Sequence, residues 1–223
     1  MQTETKASKM VPKRASRVLP TFPMVEVAIL AQPMDATLDR LRRGDADLGL
    51  VVDVPAPAFF EGLARVRCGS IDFVVVAAPH HALARMGRPL SAADLRDHTQ
   101  ILLSSGLETS GASDWAAYAL NRWRVNDLGL RHSLLLAGAG WSSMPRHLVA
   151  DDLRDGRLVA LRLDRVSASE QLPQLPLSVA HRKAGVLGPA ALWLRDRLVE
   201  DALDRPLQAR NAGRKRVAGK GRT

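Results

Sequence analysis

Apolar and polar positions alternate between two periods along the chain. Residues 25–30 form a β-branched and apolar run after Pro23, expected as a strand. Over residues 35–43, Leu38 and Leu41 share one face and Gly44 stands just past the end, the pattern of a short helix. Residues 47–52 are apolar on both faces after the first position, as in a buried parallel strand. Another strand lies within 68–78, centred on Phe73-Val74-Val75-Val76 and stopped by Pro79. Ser91-Ala92-Ala93-Asp94 reads as a capping box, with Asp in place of Glu, that opens a brief helix through Leu95. A strand at 100–103 and an amphipathic helix at 113–123 follow. A helix is expected at 133–137, closed by Gly138 and Gly140, then a short extended piece at 141–144. Pro145 suits the first position of a helix running to Gly156. Residues 158–163 and 177–181 read as strands. Pro189 opens a last helix of about four turns on Ala191, Leu194, Leu198 and Ala202.

Strands alternating with helices predict α/β layers with mostly parallel sheets, whose ligands bind at the C-terminal ends of strands. The 223 residues suffice for one large domain or two small lobes. Hydrophobic residues at 46% and charged residues at 25% exclude a disordered or collagen-like chain. The single Cys68 excludes an internal disulfide and a cysteine-rich zinc module. The longest strictly apolar stretch, 73–78, falls far short of the roughly 20 residues of a membrane helix. No apolar segment follows the N-terminal lysines as in a secretory signal, so a cytoplasmic location is expected.

Charge is placed unevenly. Residues 1–17 carry Lys6, Lys9, Lys13, Arg14 and Arg17 against Glu4. Residues 206–223 carry Arg210, Arg214, Lys215, Arg216, Lys220 and Arg222 with no acid. Of the net +9, +4 and +6 sit in these ends, which leaves 18–205 at −1. The excess therefore describes two solvated tails, able to hold phosphate backbones weakly and without regard to sequence.

Enzyme signatures are absent or incomplete. There is no Walker loop, and Gly138-Ala139-Gly140 lacks the third glycine of a dinucleotide fingerprint. Gly140-Trp141-Ser142-Ser143 fails the nucleophile-elbow pattern at its fifth position. His80 and His81 are adjacent and point apart, a poor metal pair. Asp151, Asp152 and Asp155 stand near Arg146, Arg154 and Arg157 and read as surface ion pairs. Cys68 reads as a buried small residue, and Trp141 as core. No reaction, cofactor or metal is implied.

Five segments in order resemble LysR-type transcriptional regulators. Residues 41–50, LRRGDADLGL, are similar to the family's helix-to-strand junction. VVVAAPHHALA at 74–84 resembles its strand followed by P-x-H-P-L-A, with Ala82 in place of Pro. LSAADL at 90–95, AGAGWSSMP at 137–145, and Asp152-Leu153 with GRLVAL at 156–161 resemble three further motifs. The resemblance spans 22–204. It implies a two-lobed effector-binding domain of the type II periplasmic-binding-protein fold at 21–204, with lobe I at 21–78 plus 178–204 and lobe II at 79–177. Residues 1–20 and 205–223 are expected as disordered basic tails. The family's N-terminal helix-turn-helix, its linker helix and the first strand of lobe I are not recognisable, so the chain reads as a truncated regulator, a fragment or a mis-called start.

The same resemblance implies a small organic effector in the interlobe cleft, an aromatic one from the context of His132 and Gly140-Trp141. Ser104 and Ser105 match one polar contact, after the strand at 100–103. His132 and Ser133 match a second, ahead of the helix they precede, and Met34 stands where a loop enters a helix. Each has a structural competitor: a plain N-cap for the serines, a satisfied histidine, and packing for Met34. Expected partners are the effector, further copies of the chain, and DNA through the family's missing helix-turn-helix, with only non-specific contact through the tails. A solute-binding protein of the same fold, a non-functional fragment and an enzyme on an α/β scaffold are the competing readings.

Overall fold

The structure is a computed structural model, and it describes residues 16–104, 117–164 and 174–203. In chain order its elements are α1 (Val18–Thr21), α2 (Met34–Arg43), β1 (Gly49–Val52), β2 (Leu63–Ala77), α3 (Ala82–Arg85), α4 (Ala92–Arg96), β3 (Gln100–Leu103), β4 (Arg122–Val125), α5 (Leu128–Leu136), β5 (Trp141–Pro145), α6 (Ala150–Arg154), β6 (Val159–Ala160), β7 (Gln174–Arg182) and α7 (Pro189–Leu203). Short 3-10 turns lie at Pro57–Phe60 and Arg146–Leu148.

The 15-residue strand β2 organises everything else. Its first part, through Asp72, pairs antiparallel with β7, which also carries β1 antiparallel on its other edge. From Phe73 to Ala77 its partner becomes β5, with β6 alongside its end. Beyond β5 come β3 and then β4, both parallel. Two ladders thus share one strand, and the change of partner falls between Asp72 and Phe73. Apolar clusters cover both. Leu38, Leu41, Val51, Phe59 and Phe60 pack on the first, with Cys68, Ile71, Val179 and Leu198 on its other part. Ile101, Leu135, Met144 and Val149, and Leu90, Leu95 and Trp141, pack on the second.

Local chemistry predicted several elements well. The Ser91 box forms in full: Ser91 Oγ accepts from Asp94 N–H, and the Asp94 carboxylate accepts from Ser91 N–H. Helix α2 ends at Gly44, as its pattern requires.

Other expectations are corrected. Residues 25–30 join no ladder, and Ile29 and Leu30 are exposed. They stay unpaired although β1 and β4, at the two ends of the strand order, each keep an edge that no described strand pairs. β1 is antiparallel, since its neighbour returns from the far end of the chain. Of the helix expected at 113–123, residues 113–116 lie outside the described residues, and the rest is not helical. The Gln100 side-chain carbonyl accepts the amide N–H groups of Tyr118 and Ala119, and after two more residues β4 begins at Arg122. Helix α5 begins at Leu128 rather than 133, because Asp127 caps it by accepting from Leu130 N–H at 2.7 Å. Pro145 ends β5 instead of opening a long helix.

Candidate functional site

Strand register brings distant residues to one level. Gln100 stands beside Trp141 in the parallel β3–β5 pair, so Ser104 falls beside Pro145 four residues on. Pro145 is opposite Phe73, where β2 changes partner. Leu103 is beside Val125, whose carbonyl accepts Ser104 N–H at 2.9 Å. The C-terminal ends of β3, β4 and β5 therefore form one rim, facing the point where the two ladders meet. This is the crevice position expected of α/β ligand sites.

A cavity of about 280 Å³ opens there, lined by Ser70, Ile71 and Asp72 of β2 and by Arg146 and His147 just after β5. Gln174 Nε2 donates to Asp72 Oδ1 at 2.7 Å and holds that carboxylate at the lip. Arg146 is exposed beside it. It is not spent on the nearby acids: Arg154 pairs with Asp151 and Asp155, and Arg157 pairs with Asp152 and Asp155.

The residues expected to bind a ligand are dispersed. Ser104 is buried at the rim. Ser105 lies outside the described residues. His132 and Ser133 are in the second turn of α5, not before its start. Ser133 Oγ donates to the Gly129 carbonyl at 3.0 Å. His132 Nε2 lies 2.7 Å from Asp152 Oδ2, and Arg157 Nε lies 2.9 Å from the other oxygen. Asp152 is thus buried between two partners rather than on the surface. Met34 opens α2 and packs against the Leu38–Leu41 cluster. Trp141 is fully buried, and its Nε1 donates to the carbonyls of Leu95 and His98.

Sequence reasoning missed Arg146 and His147, which only the pairing of β2 with β5 brings to Ser70. It also passed over Arg131, buried on α5, whose guanidinium burial pulls down to about 10. The spacing Leu128, Arg131, Leu135 was the available signal, since it places the arginine on the apolar face. Among the described residues no three His, Cys, Asp or Glu side chains are arranged to hold a metal ion.

The model of the LysR substrate binding domain family matches residues 3–203. The chain belongs to this family. LysR substrate-binding domains are modules of transcriptional regulators, and the five sequence motifs resemble this same family. An HTH-type transcriptional regulator of Mycobacterium tuberculosis is 31% identical over 159 residues, covering 66% of this chain and 49% of that protein. The Escherichia coli HTH-type regulator YhaJ is 25% identical over 169 residues, covering 75% and 54%. The chain spans about half the length of the curated relatives it matches. In fold it is similar to the CcmR regulatory domain of Synechocystis, at TM-score 0.63 and 18% identity, covering 89% of this chain and 94% of that one. The effector binding domain of QuiR gives 0.63 and 17%, covering 90% and 94%. The mixed sheet is that of LysR regulatory domains of the periplasmic-binding-protein-like type II fold.

Proposed function

We propose that the chain is the effector-sensing part of a LysR-type transcriptional regulator and binds a small organic molecule where its two ladders meet. The observation that carries this reading is the cavity between β2, just before its change of partner, and the turn after β5. A molecule seated there touches both ladders at once. Its binding free energy therefore depends on their relative placement, which is what a sensor requires.

Two structures of similar fold support the reading, CcmR in complex with 2-PG and the QuiR domain in complex with shikimate. The lobes are the β1–β7–β2 ladder with α2 and α7, and the β2–β5–β3–β4 ladder with α4, α5 and α6. In this reading the protein acts in the cytoplasm, where transcription takes place in a bacterial cell; no described helix is long and apolar enough to cross a membrane. It performs no catalysis and assembles as a homo-oligomer. Base-specific DNA contact in this reading requires a helix-turn-helix, which the described elements do not form.

The test is a screen of small organic acids, amides and alcohols against the purified chain by thermal shift, followed by calorimetric titration of the hits. Ser104→Ala is expected to weaken a hit by on the order of 1 kcal/mol, the net worth of one hydrogen bond. Ser133→Ala, whose hydroxyl is already used within its helix, is expected to leave affinity unchanged. No stabilising compound, or binding indifferent to both Ser104→Ala and Arg146→Ala, would refute the assignment.

A further inference from the structure

We propose that Arg131, buried on the inner face of α5, binds the oxyanion of the cleft's ligand, a carboxylate or a phosphate. This rests on the ligand-binding reading above and names the chemical class of that ligand.

The position of Arg131 follows from packing. Leu135, four residues on and on the same face, is buried with Ile101, Val76 and Met144. Helix α5 follows β4 after a two-residue connection, so it runs back antiparallel to β4 and to its parallel neighbour β3. One helical turn toward its N-terminus is about 5.4 Å, or roughly two residues along a strand. That step leads from Ile101 to Leu103 and Ser104. Arg131 is therefore level with Leu103 at the C-terminal end of β3, outside the five residues that line the cavity itself.

Its surroundings leave a charge unanswered. Arg131 is only 9% exposed, and its Nε is sealed from solvent without a hydrogen-bond partner. Among the described residues it is the one buried side-chain nitrogen or oxygen in that condition. Gln100, Ser142 and Asp152 are as deeply placed, and each is partnered. The two described acids that cap α5 or bond to it are engaged elsewhere. Asp127, one turn back, caps the helix through Leu130 N–H. Asp152, across from α5, is taken by His132 and Arg157.

Burial lowers the guanidinium only to about 10, so it stays protonated at neutral pH. An unpaired buried cation is unfavourable, and an entering anion removes that penalty as it binds. The planar fork of N–H donors matches the two oxygens of a carboxylate or phosphate. The helix N-terminus is not itself the anion site, because the Asp127 carboxylate already occupies it. Arg146 at the cavity lip adds a second positive charge on the approach.

The experiment uses the full chain, thermal shift and calorimetry, and matched probes: benzoate against benzamide, succinate against succinamide, and inorganic phosphate against chloride at equal ionic strength. The acids and phosphate are expected to protect the wild-type chain, with each amide at least tenfold weaker than its acid. Arg131→Met is expected to raise the melting temperature without ligand and to erase the acid–amide difference. Arg131→Lys is expected to retain part of it. Undiminished acid preference in Arg131→Met, or a ligand-free Arg131→Met chain less stable than wild type, overturns the proposal. The wild-type comparison needs no variant: acids and amides binding equally overturns the anion site and leaves the cleft reading standing. Phosphate protection through Arg131 with no organic compound bound leaves the anion site and overturns the cleft reading. No protection by any probe overturns both.

Discussion

Asp152→Ala should cost the second ladder far more than the loss of any ion pair on its surface. Asp152 is 4% exposed and bridges His132 at 2.7 Å and Arg157 at 2.9 Å. Its backbone carbonyl also accepts from the N–H groups of Arg157 and Leu158, so the residue ties α5 to the turn before β6. Removing the carboxylate strips the half-buried His132 of a hydrogen bond to a charged group, worth about 1.5–3 kcal/mol. The Arg157 side chain is 57% exposed and keeps Asp155, so its share is about 0.5 kcal/mol. The sum is about 2–3.5 kcal/mol, a large fraction of a domain's stability. A double-mutant cycle with His132→Ala isolates the pair, with an expected coupling of about 1.5 kcal/mol or more. The control is Arg154–Asp151, at nearly the same distance of 2.8 Å but with side chains 69% and 73% exposed. Its coupling should be about 0.3 kcal/mol. Urea unfolding reads both cycles from the midpoint at constant slope. Equal couplings would refute the reasoning, because burial is the only difference invoked.

Gly140→Ala should destabilise by about 2–4 kcal/mol in the same assay, by forcing close contacts and weakening a ladder hydrogen bond. A Cβ there would lie 2.4 Å from the Thr99 carbonyl oxygen, which also accepts Trp141 N–H, so β3 and β5 must part. Asp94 should shape the acid limb of the melting curve. Hydrogen bonds from Arg88 and from Ser91 hold its carboxyl far below the ordinary 3.8. Its contribution is therefore complete above the unfolded value and lost as pH falls below about 4. Asp94→Asn should lower the melting temperature at neutral pH, and the difference should shrink toward pH 2 and in high salt. Burial and nearby Asp53 push the Cys68 thiol up to about 11, so labelling of the native chain at pH 8 by a thiol reagent should be slow and accelerate with urea. Fast stoichiometric labelling in buffer would contradict that burial.

What the sequence revealed was what local chemistry decides. The Ser91–Asp94 box, the Gly44 stop of α2 and the strand Gln100–Leu103 depend on neighbours within a few residues. The failures are non-local. The apolar run at 25–30 has strand character, but it joins no ladder, and local pattern does not decide whether a segment finds a partner strand. Trp115, Ala119 and Trp123 are spaced as on a helix, yet Gln100 captures the intervening amides and β3 takes the chain as its neighbour. The place of Ser104 was legible because it directly follows a readable strand. Arg146 was not, since its place beside Ser70 depends on the Phe73–Pro145 register. Ser133 was misplaced by a single unrecognised cap, Asp127, which moved the helix start by five residues.

β2 is a member of both ladders, and its register with β7 breaks between Arg67 and Gly69, three residues before the change of partner. Gly69 sits there at φ 144°, a backbone state that costs a side-chain-free residue little. Rotating one ladder against the other must twist this strand, and the bulge is where the twist has least to break. In the proposed reading the long strand would act as a torsion spring with a soft section beside the candidate crevice. The stiffness of this length of backbone then enters the ligand's affinity, and stiffening Gly69 is expected to change that affinity although Gly69 is not itself a lining residue of the cavity.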